Sequence, residues 1–363
     1  MPNWFHKVRV AIAAATMLAL ASCGGGSSEK PAAATQKSQF NIGWSIYAGW
    51  MPWPYAQQAG IVKKWEDKYG IKINLVQVND YVESVNQYTA GKLDGVTVTN
   101  MDALTIPAAG GKDSSAVVLG DYSDGNDGIV MKKASGLADI KGRKVNLVEF
   151  SVSHYLLARG LESVGMKLSD VQTVNTADAD IVGAFTSPDV TAAVAWNPQL
   201  SEMKKQPGAL LAFDSSKIPG EILDLMVVDT ATLKANPNLG KALAGIWYET
   251  IALMQRNDAE GKAARTAMAK LAGTDLATFE SQLKTTHLYA QPAEAVAAMS
   301  SPDFPTRMKR VRDFSYSQGL FGPGAASADA IGIAMPGTTL GNAQNVKLRF
   351  DPTYMKLAAD GKL

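Results

Sequence analysis

Acids, amides, hydroxyls and indole rings recur at one kind of place along this chain, the few residues that follow a short apolar run. Tyr47-Ala48-Gly49-Trp50-Met51-Pro52-Trp53-Pro54-Tyr55 puts four aromatics in nine residues. Thr99-Asn100-Met101-Asp102 follows another run, and Asp121-Tyr122-Ser123-Asp124-Gly125-Asn126-Asp127 a third. Glu149-Phe150-Ser151-Val152-Ser153-His154-Tyr155 and Trp196-Asn197-Pro198 continue the series, and Asp224 stands near the start of a later run. None of these segments contains a Lys or Arg, although the chain has 35 of them. Carboxylates and neutral oxygens accept N–H donors, and charge-assisted bonds are about twice as strong as neutral ones. Indole faces add cation–π attraction of about 0.5–2 kcal/mol each. The candidate ligand-binding set is therefore Tyr47, Trp50, Trp53, Thr99, Asn100, Asp102, Asp121, Asp127, Glu149, Ser151, Ser153, Trp196, Asn197 and Asp224, and its chemistry suits a small, planar, nitrogen-rich cation. An anion would call for Arg or Lys here, or for helix N-termini clear of acid. Asp102 and Glu149 stand where helices begin.

Each piece also has a plainer use. Aromatics after a strand pack cores and turns, turn acids are commonly solvated, and Thr99, Ser151 and Ser153 have the types of N-cap residues. Asp121 to Asp127 has some likeness to a calcium loop, but its glycine and the missing closing Glu are wrong for an EF-hand. His154 has no partner at metal-ligand spacing, and no Ser–His–Asp order or Gly-rich phosphate loop appears. No catalytic group, cofactor or metal is expected. An anchored hydrolase using Glu149 and Asp127 as an acid/base pair is the competing class. What favours a binding site is that several strand ends carry the same chemistry.

The elements that must position these residues are strands alternating with helices. Apolar periodicity predicts strands at 40–45, 71–78, 95–99, 116–120, 129–132, 144–149, 171–175, 192–196 and 223–229. Helices are predicted between them at 55–69, 81–90, 153–164, 178–186 and 198–206. That alternation argues for an α/β protein with mainly parallel sheets, in which ligands sit at the carboxyl ends of strands. From Thr230 onward the pattern reads as nearly all helical, with helices at 239–256, 260–271, 275–284, 292–299 and 306–318.

The chain opens with Lys7 and Arg9, an apolar run from Val10 to Ala19, and then Leu20-Ala21-Ser22-Cys23 before a Gly/Ser stretch. A basic start, a short apolar core and small residues make a secretory signal; the apolar core is far below the roughly 20 residues of a membrane span. Cys23 after that site resembles a bacterial lipoprotein lipobox, which implies removal of residues 1–22, lipidation of Cys23 and an exported, membrane-anchored protein. Residues 23–38 read as a flexible tether. Cys23 is the only cysteine, so an internal disulfide and cysteine-ligated zinc are excluded. Formal net charge is +1, and losing Lys7 and Arg9 brings it to about −1, which argues against a nucleic-acid partner. A chain of 363 residues suggests about two domains at ~150 residues each.

Ala59-Gly60-Ile61, Asp139-Ile140-Lys141-Gly142-Arg143-Lys144-Val145, Asp178 to Phe185 and Trp196-Asn197-Pro198 resemble the substrate-binding proteins of nitrate/sulfonate/taurine-type ABC importers. Trp44-Ser45-Ile46-Tyr47, Gly49-Trp50-Met51-Pro52-Trp53, Asn79-Asp80-Tyr81-Val82-Glu83-Ser84, Gly125-Asn126-Asp127-Gly128 and Glu221 to Val228 are similar to the branch encoded beside urea carboxylases. The resemblance implies a two-lobed periplasmic-binding-protein (type II) fold with two crossovers, near Asp127–Ile129 and Leu225–Val228, and a helical C-terminal region. Lobe 1 would comprise 39–128 and 226–363, and lobe 2 129–225. The implied protein is a monomer that delivers guanidinium or urea to a membrane permease. Guanidinium wants acceptors only, and urea needs a donor for its oxygen; the surplus of acids favours guanidinium, with nitrate, a sulfonate or a pyrimidine as other solutes. If Cys23 carries the anchor, Cys23→Ser shifts the protein from the membrane to the soluble fraction on cell fractionation; a variant that stays with membranes refutes the anchor.

Overall fold

The computed structural model describes residues 37–363, so the leader, Cys23 and all but the end of the tether lie outside the described residues. Among the described residues, fourteen strands form two sheets. They are β1 Gln39–Trp44, β2 Lys72–Gln77, β3 Gly95–Thr99, β4 Ser114–Ser123, β5 Asp127–Lys132, β6 Lys144–Leu147 and β7 Gln172–Asn175. After them come β8 Ala192–Trp196, β9 Ala209–Asp214, β10 Leu223–Asp229, β11 Thr286–Leu288, β12 Gly332–Met335, β13 Thr338–Leu340 and β14 Val346–Phe350. The first sheet has the order β13-β12-β14-β4-β10-β3-β1-β2, with β11 also on β4; the second has the order β7-β6-β8-β5-β9. Central strands are covered on both faces: all of β3 and nearly all of β10 is buried.

The chain leaves the first sheet between Ser123 and Asp127 and returns between Asp214 and Leu223. Both passages fall a few residues before Asp127–Ile129 and Leu225–Val228, since Asp127 already pairs with Trp196 and Leu223 with Tyr122. These passages also correct the expectation of mainly parallel sheets. β10 arrives from the second sheet and runs antiparallel to both β3 and β4; β5, arriving from the first, runs antiparallel to β8 and β9. The strands joined by helices, β1 with β2 and β3 or β6 with β7 and β8, are parallel.

Helices follow the periodicity with small shifts. The stretch read as one helix over 55–69 is two, Pro52–Gln58 and Ile61–Tyr69, broken where Gly60 takes φ +74°. C-terminal helices span Pro237–Met254, Ala259–Leu271, Leu276–Leu283, Pro292–Met299 and Phe304–Ser317. Beyond them the chain is not all helical, because β12 to β14 return to extend the first sheet beside β4. The helix Pro237–Met254 approaches Ile61–Tyr69 through Gly245, where an added Cβ would stand 2.5 Å from the Trp65 ring. Gly245→Ala is expected to destabilise the protein by about 1–3 kcal/mol, measured as a lower urea midpoint. An unchanged midpoint would mean that the Trp65 ring yields freely.

Candidate functional site

Cross-strand register builds the polar centre of the molecule. On the antiparallel strands β4, β10 and β3, Asp224 lies opposite Asp121 on one side and Thr99 on the other. A row of two acids and a hydroxyl thus crosses the end of the first sheet. Tyr47, just past β1, donates its hydroxyl to Asp121 Oδ1 at 3.0 Å. From the second sheet, Asp127 opens β5 beside Trp196 and accepts from Ser123 Oγ at 2.5 Å.

Between these strand ends lies a narrow cavity of about 20 Å³ lined by Tyr47, Trp50, Tyr81, Thr99, Asp127, Val152, Trp196, Ile222 and Asp224. All nine are buried. Trp50 packs 5.1 Å from Tyr47 and 5.7 Å from Tyr81 between ring centroids, and Tyr81 lies 5.7 Å from Trp196. Four rings therefore wall the space that Asp127 and Asp224 enter. No Lys, Arg or His is among the lining residues. The indole N–H of Trp50 and Oδ2 of Asp121 are buried without a hydrogen-bond partner.

The remaining strand-end residues divide by what their polar atoms already do. Asp121 stands behind Asp224 and Tyr47 rather than in the cavity wall, and also borders a smaller space of about 10 Å³ with Trp53 and Trp247. Asp102 Oδ2 accepts from the Tyr81 hydroxyl (2.7 Å), Thr99 Oγ1 (2.9 Å) and Val152 N (3.4 Å). It holds three lining residues in place without lining the cavity itself. Trp53 packs on Trp247 at 5.2 Å, in the core. Asn100 pins the start of β10, donating to Glu221 O at 3.0 Å and accepting from Leu223 N at 3.1 Å. Glu149 is half-buried and accepts from Thr173, so it and Asp127 do not meet at the cavity wall as an acid/base pair would. Ser151 caps the helix Val152–Ser163, while Ser153 Oγ is buried without a partner outside the wall. Asn197 accepts from Ser201 N and Oγ at 3.0 and 2.6 Å. Sequence reasoning passed over Tyr81, Val152 and Ile222. The signal for Tyr81 was Asp80, which caps the helix Tyr81–Thr89 and so turns its first residue back toward the end of β3.

Direct bonds also span the two sheet systems around the cavity. Ala48 N donates to Asn197 O (3.3 Å), Tyr81 N to Asp178 Oδ1 (3.4 Å) and Asn197 Nδ2 to Thr285 Oγ1 (3.2 Å). On another side, Tyr155 Oη donates to Glu221 Oε2 at 2.5 Å, and Arg159 and Arg310 pair with the same carboxylate.

Burial raises the pKa of Asp102 to about 6 and of Asp127 to about 7. Asp224 is pushed up by burial first and then by the charge of Asp121, and Asp121 is itself raised by burial. A carboxyl that holds its proton better in the folded chain than in the unfolded one contributes stability at low pH that is lost as pH rises through its folded value. The ligand-free protein should therefore lose stability from about pH 4 to about pH 7. His154, whose pKa burial lowers, works in the opposite sense. The comparison that isolates the carboxyl is the thermal midpoint of the parent against Asp127→Asn, whose decline with pH should be shallower; equal slopes would refute it.

Among the described residues, no His/Cys/Asp/Glu group is arranged to hold a metal ion, and no helix is long and apolar enough to cross a membrane. A putative binding protein of Brucella abortus (strain 2308) is 28% identical over 188 residues, 51% of this chain and 58% of that protein's length. The alkanesulfonate-binding protein from Xanthomonas axonopodis pv. citri, solved bound to MOPS, superposes with a TM-score of 0.68 at 19% identity, over 82% of this chain and 99% of that one. The periplasmic aliphatic sulphonate binding protein of Escherichia coli gives 0.65 at 21%, over 78% and 94%. At these identities the likeness fixes the fold, which is the two-sheet type II fold of periplasmic binding proteins with a helical C-terminal region. The NMT1/THI5-like family model matches residues 59–258, more than half of the chain, and the protein belongs to that family.

Proposed function

We propose that this protein is the exported binding component of an ABC importer and that it takes guanidinium, with urea next, in the cavity between its sheets. It binds its solute and catalyses no reaction. One observation carries the ligand: Asp127 and Asp224 enter an aromatic cavity with buried walls whose lining contains no base. Removing an ionised carboxylate from water costs several kcal/mol unless a cation meets it. Guanidinium brings six N–H donors and one charge in a plane that the Trp50, Tyr81 and Trp196 rings can flank. Urea brings no charge but has an oxygen, for which the unpartnered Trp50 N–H is a donor. The motifs similar to the urea carboxylase-associated branch support the same pair.

Binding would join lobe 1, residues 39–128 and 226–363, to lobe 2, residues 129–225, as a hinge closes on the solute. The closed monomer would then present its solute to a membrane permease while Cys23 tethers it by lipid. A second reading, an alkanesulfonate or another small oxyanion, is favoured by what the structurally similar proteins are named for binding. In this cavity an oxyanion would have to meet protonated carboxyls and the Trp50 N–H rather than Arg or Lys.

Calorimetric titration with guanidinium, urea and ethanesulfonate separates these readings. Removing one partner of a buried hydrogen-bonded charge pair costs roughly 2–5 kcal/mol, about 30- to several-thousand-fold in affinity. Asp127→Asn or Asp224→Asn should lose guanidinium binding by that amount, with urea less affected. A parent that binds ethanesulfonate and ignores guanidinium, or both variants binding guanidinium like the parent, overturns the cationic reading.

A further inference from the structure

We infer that the cavity exchanges a proton for its ligand: the Asp121–Asp224 pair, empty, shares a proton that an arriving cation displaces to solvent. This rests on the cationic reading above and adds to it a stoichiometry. The geometry is the antiparallel register that sets Asp224 directly opposite Asp121 at the end of β10 and β4, both fully or nearly fully buried. Two carboxylates sharing one site cannot both ionise without a positive partner.

The groups that face the pair supply none. From the segment after β1 comes the Tyr47 hydroxyl, on Asp121 Oδ1. From β5 comes a third carboxyl, Asp127, itself within reach of the Asp102 charge, and from the segment after β11 comes the Tyr289 phenol. All of these are acids or neutral hydroxyls. No protein group donates to Asp121 Oδ2, and the hydrogen bond between the Asp121 and Asp224 carboxyls is left for a proton to supply. Burial and mutual repulsion raise both members of the pair in the same direction.

The exchange balances. A carboxyl O–H gives its proton to water, the carboxylate oxygen accepts a ligand N–H, and the site loses one positive charge as it gains another. Protons and ligand therefore compete, and affinity rises with pH until the empty pair has lost its shared proton. An oxyanion ligand would reverse the sign, since it would need that proton retained.

The test is calorimetry of the mature protein with guanidinium chloride, far below denaturing concentrations, in two buffers of different ionisation enthalpy. At about pH 8, above the value near 7 to which Asp127 is raised, the expected result is release of about one proton per guanidinium and about tenfold tighter binding per pH unit, flattening at higher pH. Guanidinium binding with no proton release overturns the exchange and leaves the cationic reading standing. Absence of guanidinium binding, with ethanesulfonate taken up together with a proton, overturns both. Asp224→Asn leaves Asp121 without an acidic neighbour across the strand, so proton release should fall by the pair's one proton, leaving only what Asp127, raised to about 7, gives up, even though affinity is weaker. Undiminished release in that variant removes the pair from the mechanism.

Discussion

A carboxyl group taken out of water must find a positive partner or keep a proton, and three of them, Asp121, Asp127 and Asp224, gather where the two sheets of this protein face each other. Much of the surrounding architecture serves that gathering. β10 has to return between β3 and β4 for Asp224 to sit beside Asp121, and its antiparallel course follows from the chain's passage out to the second sheet and back. β5 has to begin at once after that passage for Asp127 to face them from the far side. Asp102, one layer back, uses a single oxygen to hold Thr99, Tyr81 and the first turn of the helix Val152–Ser163. The acids are thus both the chemistry of the cleft and the fasteners of its walls.

The fold alone carries little of this. Proteins of the same architecture are named for binding sulfonates, and at 19–21% identity a shared backbone says nothing of the charge in the cleft. Here the carboxyls sit at the ends of β4, β5 and β10, and the rings at the end of β8, at the start of the helix Tyr81–Thr89 and in the segment after β1.

Strand-end position was legible from residue order, and it led to Tyr47, Trp50, Thr99, Asp127, Trp196 and Asp224, which the cavity brings together. Depth and prior engagement were not legible. Trp53 has the same type and nearly the same position as Trp50, yet two further residues along a helix turn it into the core against Trp247. Asn100 and Asn197 look like ligand amides and spend their polar atoms on the backbone of β10 and on Ser201 and Thr285. Such bonds join residues up to 123 positions apart, so no local pattern announces them. Length explains the missed strands: β11 to β14 have three to five residues each, too short for an alternation to stand out among helices. β9 is half-covered along most of its length and lacks the alternation of a strand with one wet face.

The bonds that cross from one sheet system to the other bear on time rather than affinity. Where a solute passes between the two sheet systems, Ala48 parts from Asn197, Tyr81 from Asp178, Val152 from Asp102 and Asn197 from Thr285. Each such bond contributes about 0.5–1.5 kcal/mol, and together with the Glu221 cluster they set how often the gap appears in the empty molecule. Exchange is then gated by the protein. Solutes of quite different affinity would share one upper limit on their rate of escape, and the dwell time available to a permease would be written into these few contacts rather than into the solute.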